Sequence, residues 1–218
     1  MLRRDLLILG AFGPELAPLR PALGEGLDGQ IAGLTVAARS TGIGLPAAAV
    51  GATLHLGDVA PRAVIMVGTC GAYAGTGLAI GDVVVARRVL LAEPSALAAQ
   101  AEFPGPMVLV AEPDGGLTAG LVAAGGRPAD VATTLAITVD GAIARLIAGS
   151  LGAQVEHLEA YGVAAASAAR GVPFAAVLGV ANFVGPAARS EWRAHHHDAA
   201  GGAVALVLRW LERDGPLT

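Results

Sequence analysis

Short apolar runs, punctuated by glycine and proline, recur along the chain. Leu6-Leu7-Ile8-Leu9 closes on Gly10 and predicts a buried strand over 6–9. Pro14-Glu15-Leu16 predicts the opening of a helix, because proline is tolerated in a first helical turn. A strand is predicted over 34–38, a turn at Thr41-Gly42-Ile43-Gly44, and an alanine-rich helix over 46–56. The run 63–67 predicts a further strand, ending abruptly in a Gly-x-x-Gly turn, Gly68-Thr69-Cys70-Gly71. Gly81-Asp82 leads into a strand over 83–86. The stretch 92–130, rich in alanine, glycine, proline and leucine, gives no clear boundaries. Beyond it the pattern predicts a strand over 135–139, a helix over 159–169, a buried strand over 173–180 and a long helix over 190–213.

Strands alternating with helices predict an α/β fold with a mostly parallel sheet. No linker, repeat or low-complexity tail interrupts the pattern, so one domain over 1–218 is the economical reading. A hydrophobic content of 54% with 31 glycines suits a sheet tightly covered by helices. The net charge of −4, with 14 basic residues scattered and all arginine, argues against nucleic acid as a partner. Every apolar run is cut before the length a membrane span needs, and the start lacks a signal-peptide cleavage pattern. The lone cysteine excludes an internal disulfide and fits a reducing cytoplasm.

Candidate chemistry lies beside the strand ends, where open α/β sheets bind small molecules. Glycine lets backbone N–H groups approach a ligand, and Thr69, Cys70 and Gly71 sit there. Glu15 and Glu159 are carboxylates that can serve as a general base or accept from two sugar hydroxyls. Asn182 can donate and accept at once, which suits a purine edge. Together these groups meet the needs of N-glycosidic cleavage. Each has an ordinary reading too: Glu15 as a first-turn helix residue, Glu159 as a solvated one, Asn182 as a turn cap, Thr69 and Cys70 as small core residues. No single residue decides. His195-His196-His197-Asp198 invites a metal, but consecutive helical side chains point apart, so a solvated or interface segment is favoured. Trp192 and Trp210 read as packing anchors, and Phe183 as the better candidate to lie near a bound base, with a core role as its equal alternative.

Taken in order, Thr41 to Gly44, Val67-Gly68-Thr69-Cys70-Gly71, Ile80-Gly81-Asp82-Val83-Val84-Val85, Val155 to Ala160, Val172-Pro173-Phe174 and Val180-Ala181-Asn182 resemble the nucleoside phosphorylase/nucleosidase family. The resemblance implies a three-layer α/β/α sandwich around a mixed, mostly parallel sheet, in a dimer or higher homo-oligomer, with no cofactor and no metal. It is closest to the hydrolytic branch. It implies that Glu15 activates water, Thr69 helps to hold it, Leu158-Glu159 grips the ribose, and Asn182 contacts the base near N7. Cys70, Gly71 and Phe183 would complete the nucleoside contacts. Asn182-Phe183-Val184-Gly185 with Trp192 downstream is similar to futalosine hydrolase-like nucleosidases, which implies a 6-oxopurine nucleoside and release of hypoxanthine. Nucleosidases of the methylthioadenosine type have Asp where Asn182 stands, and related phosphorylases have Arg where Met66 stands, so both rank lower. Leu178 and Ala181 replace an Arg and a Ser common in the family, which keeps a nucleoside-binding protein without turnover as a further alternative.

Overall fold

The computed structural model describes residues 3–214. The chain runs β1 (Leu6–Gly10), α1 (Gly13–Leu16), a 3-10 turn (Ala17–Leu19), α2 (Arg20–Leu23), β2 (Asp28–Ile31), β3 (Leu34–Ser40), α3 (Leu45–Val59), β4 (Ala63–Ala72) and β5 (Val83–Leu91). It continues through α4 (Pro94–Leu97), β6 (Val110–Ala111), α5 (Gly115–Ala123), β7 (Arg127–Thr133), α6 (Gly141–Leu151), β8 (Val155–His157), α7 (Ala160–Ala169), β9 (Phe174–Phe183) and α8 (Ala188–Asp214).

The nine strands form one mixed sheet. Strand β1 lies between β3 and β4, parallel to both. Strand β4 is parallel to β9, β9 antiparallel to β5, β5 parallel to β7, β7 parallel to β8, and β8 antiparallel to the end of β4. These five strands therefore close a ring. One face of the sheet packs Leu7, Leu9, Met66 and Val180 against Ala48, Ala52 and Leu56 of α3 and Val163 of α7. The other packs Ile8, Ile65 and Val177 against Leu16 of α1, Leu121 of α5, and Val207 and Trp210 of α8. Trp210 is a packing anchor, as its helical spacing predicts. Fully burying side chains of this size contributes about 1.5–3 kcal/mol each. Among the described residues, no helix is long and apolar enough to cross a membrane.

Three sequence expectations change. The Gly68–Gly71 segment is not a turn: β4 runs through it to Ala72, and neither glycine has a positive φ. The irregularity there is a bulge, because Cys70 pairs with Val180 and Gly71 with Asn182, leaving Ala181 without a partner. The stretch 135–139 is a loop, and the strand before it is β7. Its apolar alternation resembles a half-buried strand, yet Leu135 and Val139 are exposed. Within 92–130, α5 and β7 supply the elements that had no sequence boundaries.

Helix α8 lies close on β9. A Cβ placed on Gly179 would stand 2.0 Å from the carbonyl oxygen of Ala199. That neighbour is helical backbone and cannot turn aside. Gly179→Ala is therefore expected to cost about 1–3 kcal/mol or more of stability, read as a lower urea midpoint at unchanged slope. An unchanged midpoint would mean that the two elements separate freely.

Candidate active site

A cavity of about 420 Å³ opens at the carboxyl ends of β1 and β4, where β8 and β9 also arrive. Glu15, Thr69, Cys70, Gly71, Leu158, Glu159 and Asn182 all line it. Phe183 does not. It is 40% exposed, and its place beside the base is not supported. Successive strand residues face opposite ways, so the register that turns Asn182 inward turns Phe183 outward.

Glu15 comes from the single turn of α1, directly beyond β1. Only 4% exposed, it is held by neutral donors. Its Oε2 accepts from the Ala11 N–H at 2.8 Å, and its Oε1 from the Thr69 N–H at 3.1 Å and the Thr69 hydroxyl at 3.3 Å. The Trp192 indole N–H donates to the same hydroxyl at 3.0 Å, which leaves the Thr69 proton directed at Glu15. Trp192 is thus more than a packing anchor. Its ring lines the cavity and stacks on His196 at 4.2 Å. Burial is the main cause that raises the Glu15 pKa from 4.5 to about 7, with the Glu159 charge adding to it and the Ala11 and Thr69 donors opposing.

Glu159 stands at the head of α7. Its Oε1 accepts from the Gly44 N–H at 2.7 Å, and its Oε2 lies 3.4 Å from Nε2 of His157. His157 is almost fully buried. Its Nδ1 accepts from the backbone N–H groups of Glu159 and Ala160, at 3.2 and 3.0 Å. The proton of the neutral ring is therefore on Nε2. Burial pushes the His157 pKa down, against the pull of Glu159.

Two glycines make room for these groups. A Cβ on Gly68 would lie 3.1 Å from Oε1 of Glu15 and 3.2 Å from Nε2 of His157, and one on Gly71 would lie 2.8 Å from the Asn182 amide nitrogen. That amide donates to the Phe183 carbonyl at 2.9 Å and keeps a second N–H; its carbonyl oxygen has no partner among the described residues. Burial raises the Cys70 pKa far above its usual range, so the thiol stays protonated and serves as lining. Leu178, where the resemblance expected an arginine, is buried in the apolar core beside Gly68. Among the described residues, no arginine forms an ion pair with Glu15 or Glu159. The nearest arginines, Arg189 and Arg193, are exposed on α8 and line the outer cavity.

The sequence reading missed His157, the inward face of Trp192, and the two arginines. The one available signal was His157 itself, set between Glu156 and Glu159 directly before a helix. The arrangement can hold a water molecule against a base, present a second carboxylate to neighbouring hydroxyls, and offer an amide to a flat heterocycle.

The raised Glu15 pKa couples to stability. The folded protein keeps this proton in a range where the unfolded chain has released it. The resulting stability is complete below pH 4.5 and is lost as the pH climbs towards 7. Glu15→Gln is expected to be more stable than the wild type above pH 7, by up to about 3 kcal/mol, and to lose that margin at acid pH. Denaturation across this range checks it; a margin independent of pH would mean that Glu15 titrates normally.

Comparison with known proteins agrees with this architecture. Over 92 residues the chain is 38% identical to a 5'-methylthioadenosine/S-adenosylhomocysteine nucleosidase of Shewanella putrefaciens, covering 38% of this chain and 39% of that protein. Over 94 residues it is 38% identical to a futalosine hydrolase of Streptomyces coelicolor, covering 40% of each. The matched segment thus spans about two-fifths of the length of these curated relatives. The crystal structure of an S-adenosylhomocysteine nucleosidase from Streptococcus pyogenes superposes with a TM-score of 0.86 over 98% of both chains, at 20% identity, and so shares the fold. The family model described as Phosphorylase superfamily matches residues 7–212. A match that spans nearly the whole described chain makes this protein a member of the phosphorylase superfamily.

Proposed function

We propose that the protein is a nucleosidase that hydrolyses the N-glycosidic bond of a purine nucleoside, with a 6-oxopurine nucleoside such as futalosine preferred and hypoxanthine released. The observation that carries this reading is the convergence of Glu15, Thr69, Glu159 and Asn182 on one cavity. A water molecule between Glu15 and Thr69 attacks the anomeric carbon of the ribose. Glu15 takes its proton, and the electron pair of the carbon–nitrogen bond leaves with the base, which gains a proton from solvent. Glu159 accepts from the ribose hydroxyls. The transition state carries positive charge on the sugar, as in other glycoside cleavages. Carboxylates without a cationic partner, aimed into a half-closed cavity, stabilise that charge.

Asn182 has no acidic proton to give. Its free N–H and carbonyl oxygen suit the donor and acceptor edge of a 6-oxopurine. Arg189 and Arg193, four residues apart on α8, line the outer cavity and have no ion-pair partner among the described residues. They suit a negatively charged substituent on the sugar, which favours a futalosine-type substrate over a methylthio one. Hydrolysis ranks above phosphorolysis because the buried, apolar Met66 stands where the resemblance gives phosphorylases an arginine that would hold a phosphate dianion. Assembly into a homodimer belongs to the same reading, and is supported by the exposed apolar side chains of Val50 and Leu54 on α3.

Base release from futalosine and inosine is expected to exceed that from adenosine and methylthioadenosine, and to proceed equally with and without phosphate. Release from adenine nucleosides alone would overturn the base assignment. Glu15→Gln is expected to lower kcat by about 10²–10⁴ while nucleoside binding, read by calorimetry, survives. In the wild type, kcat/KM is expected to rise as the pH climbs towards about 7, because Glu15 acts only after losing its proton. A profile flat across that range would remove Glu15 from the base role.

A further inference from the structure

His157 does nothing in the chemistry just described, yet it is almost fully buried in the cavity wall and held by two hydrogen bonds. It ends β8, the short strand wedged between β7 and β4. Its Nδ1 caps the start of α7 by accepting from two backbone N–H groups, a task the side chain of Glu159 leaves undone. Those two donors exclude a proton from Nδ1, and burial excludes a positive charge. What remains is a neutral ring with one N–H, at Nε2, facing Oε2 of Glu159 at 3.4 Å. The other oxygen of Glu159 is taken by Gly44. Oε1 thus holds one backbone hydrogen bond, Oε2 faces the imidazole N–H at 3.4 Å, and both keep lone pairs for a ligand.

We infer that His157 is a positioning residue that fixes Glu159 toward the vicinal hydroxyls of the sugar, and so sets the preference for ribosides over deoxyribosides. This inference rests on the nucleosidase reading for the identity of the ligand. A neutral donor is the right kind of partner for the task. An arginine in the same place would orient Glu159 and cancel its charge, whereas the imidazole orients it and leaves the negative charge for the sugar cation. Gly68 leaves room for the ring, since a Cβ there would crowd Nε2 at 3.2 Å.

The test uses His157→Asn, whose side-chain oxygen can replace Nδ1 as the cap of α7 but which has no donor at the position of Nε2. His157→Gln is the second variant, able to place an N–H there. The readout is the ratio of kcat/KM for inosine to that for 2′-deoxyinosine. His157→Asn is expected to lower the ratio about tenfold or more, nearly all of it through the riboside, while its melting temperature stays near that of the wild type. His157→Gln is expected to recover part of the ratio, and His157→Asn is expected to add nothing in a Glu159→Gln background. An unchanged ratio, or losses that add in the double variant, would overturn the assignment. Should the wild type bind these nucleosides without cleaving them, the nucleosidase reading fails, and the same ratio taken from calorimetric affinities still decides the role of His157. Should it bind neither, both readings fall together.

Discussion

A carboxylate taken out of water and held only by neutral donors is the constraint around which this molecule is arranged. Removing an ionised group from solvent costs several kcal/mol unless hydrogen bonds replace the lost hydration. Glu15 receives three such bonds, one from Ala11 just past the end of β1 and two from a single residue of β4. Each requires something of the fold. The Ala11 N–H must be left free by the ending of β1, α1 must turn back at once, and β4 must extend well past its partner β1. Gly68 keeps its space clear of a side chain, which would crowd the carboxylate and the His157 ring lying over it. Three donors do not restore the ordinary pKa, so the group remains poised near neutrality.

The other two polar groups reach the cavity by different devices. Glu159 is carried by the start of α7; the distant Gly44 N–H donates to one of its oxygens, and the ring of His157, two residues earlier, faces the other at 3.4 Å. Asn182 depends on the bulge in β9. Without the register shift, Gly71 would pair with Ala181 and the amide would face away. Trp192 ties the rim to the floor, since its indole N–H fixes the Thr69 hydroxyl that in turn donates to Glu15.

Much of this was legible in the residues. Apart from 135–139, the strands read from short apolar runs are present, because burial on both faces leaves a signal that needs no periodicity. The grouping of Glu15, Thr69, Glu159 and Asn182 followed from their places beside strand ends and from the family resemblance. What could not be read depends on register and on approach. The glycines at 68 and 71 looked like a turn, yet they are strand residues that yield to side chains distant in sequence. Phe183 looked like a partner of Asn182 because it is adjacent in the chain, and pleating sends it outward. The alternation at 135–139 imitates a strand, but what it gives the site is the Ile137 side chain on the cavity wall. His157 carried a faint signal, since its use appears only once α7 and the sheet are brought together.

The closed circuit formed by β4, β9, β5, β7 and β8 has a consequence for how such a protein can change. A strand in an open sheet can slide by two residues and take its side chains along. Here a slide in any one strand would have to be repeated by all five, so their mutual alignment is locked by topology. Variation is left to the segments that hang from the circuit, the 135–139 loop and the first turns of α8. A new ligand can therefore be accommodated at the mouth while the floor beneath it stays where it is.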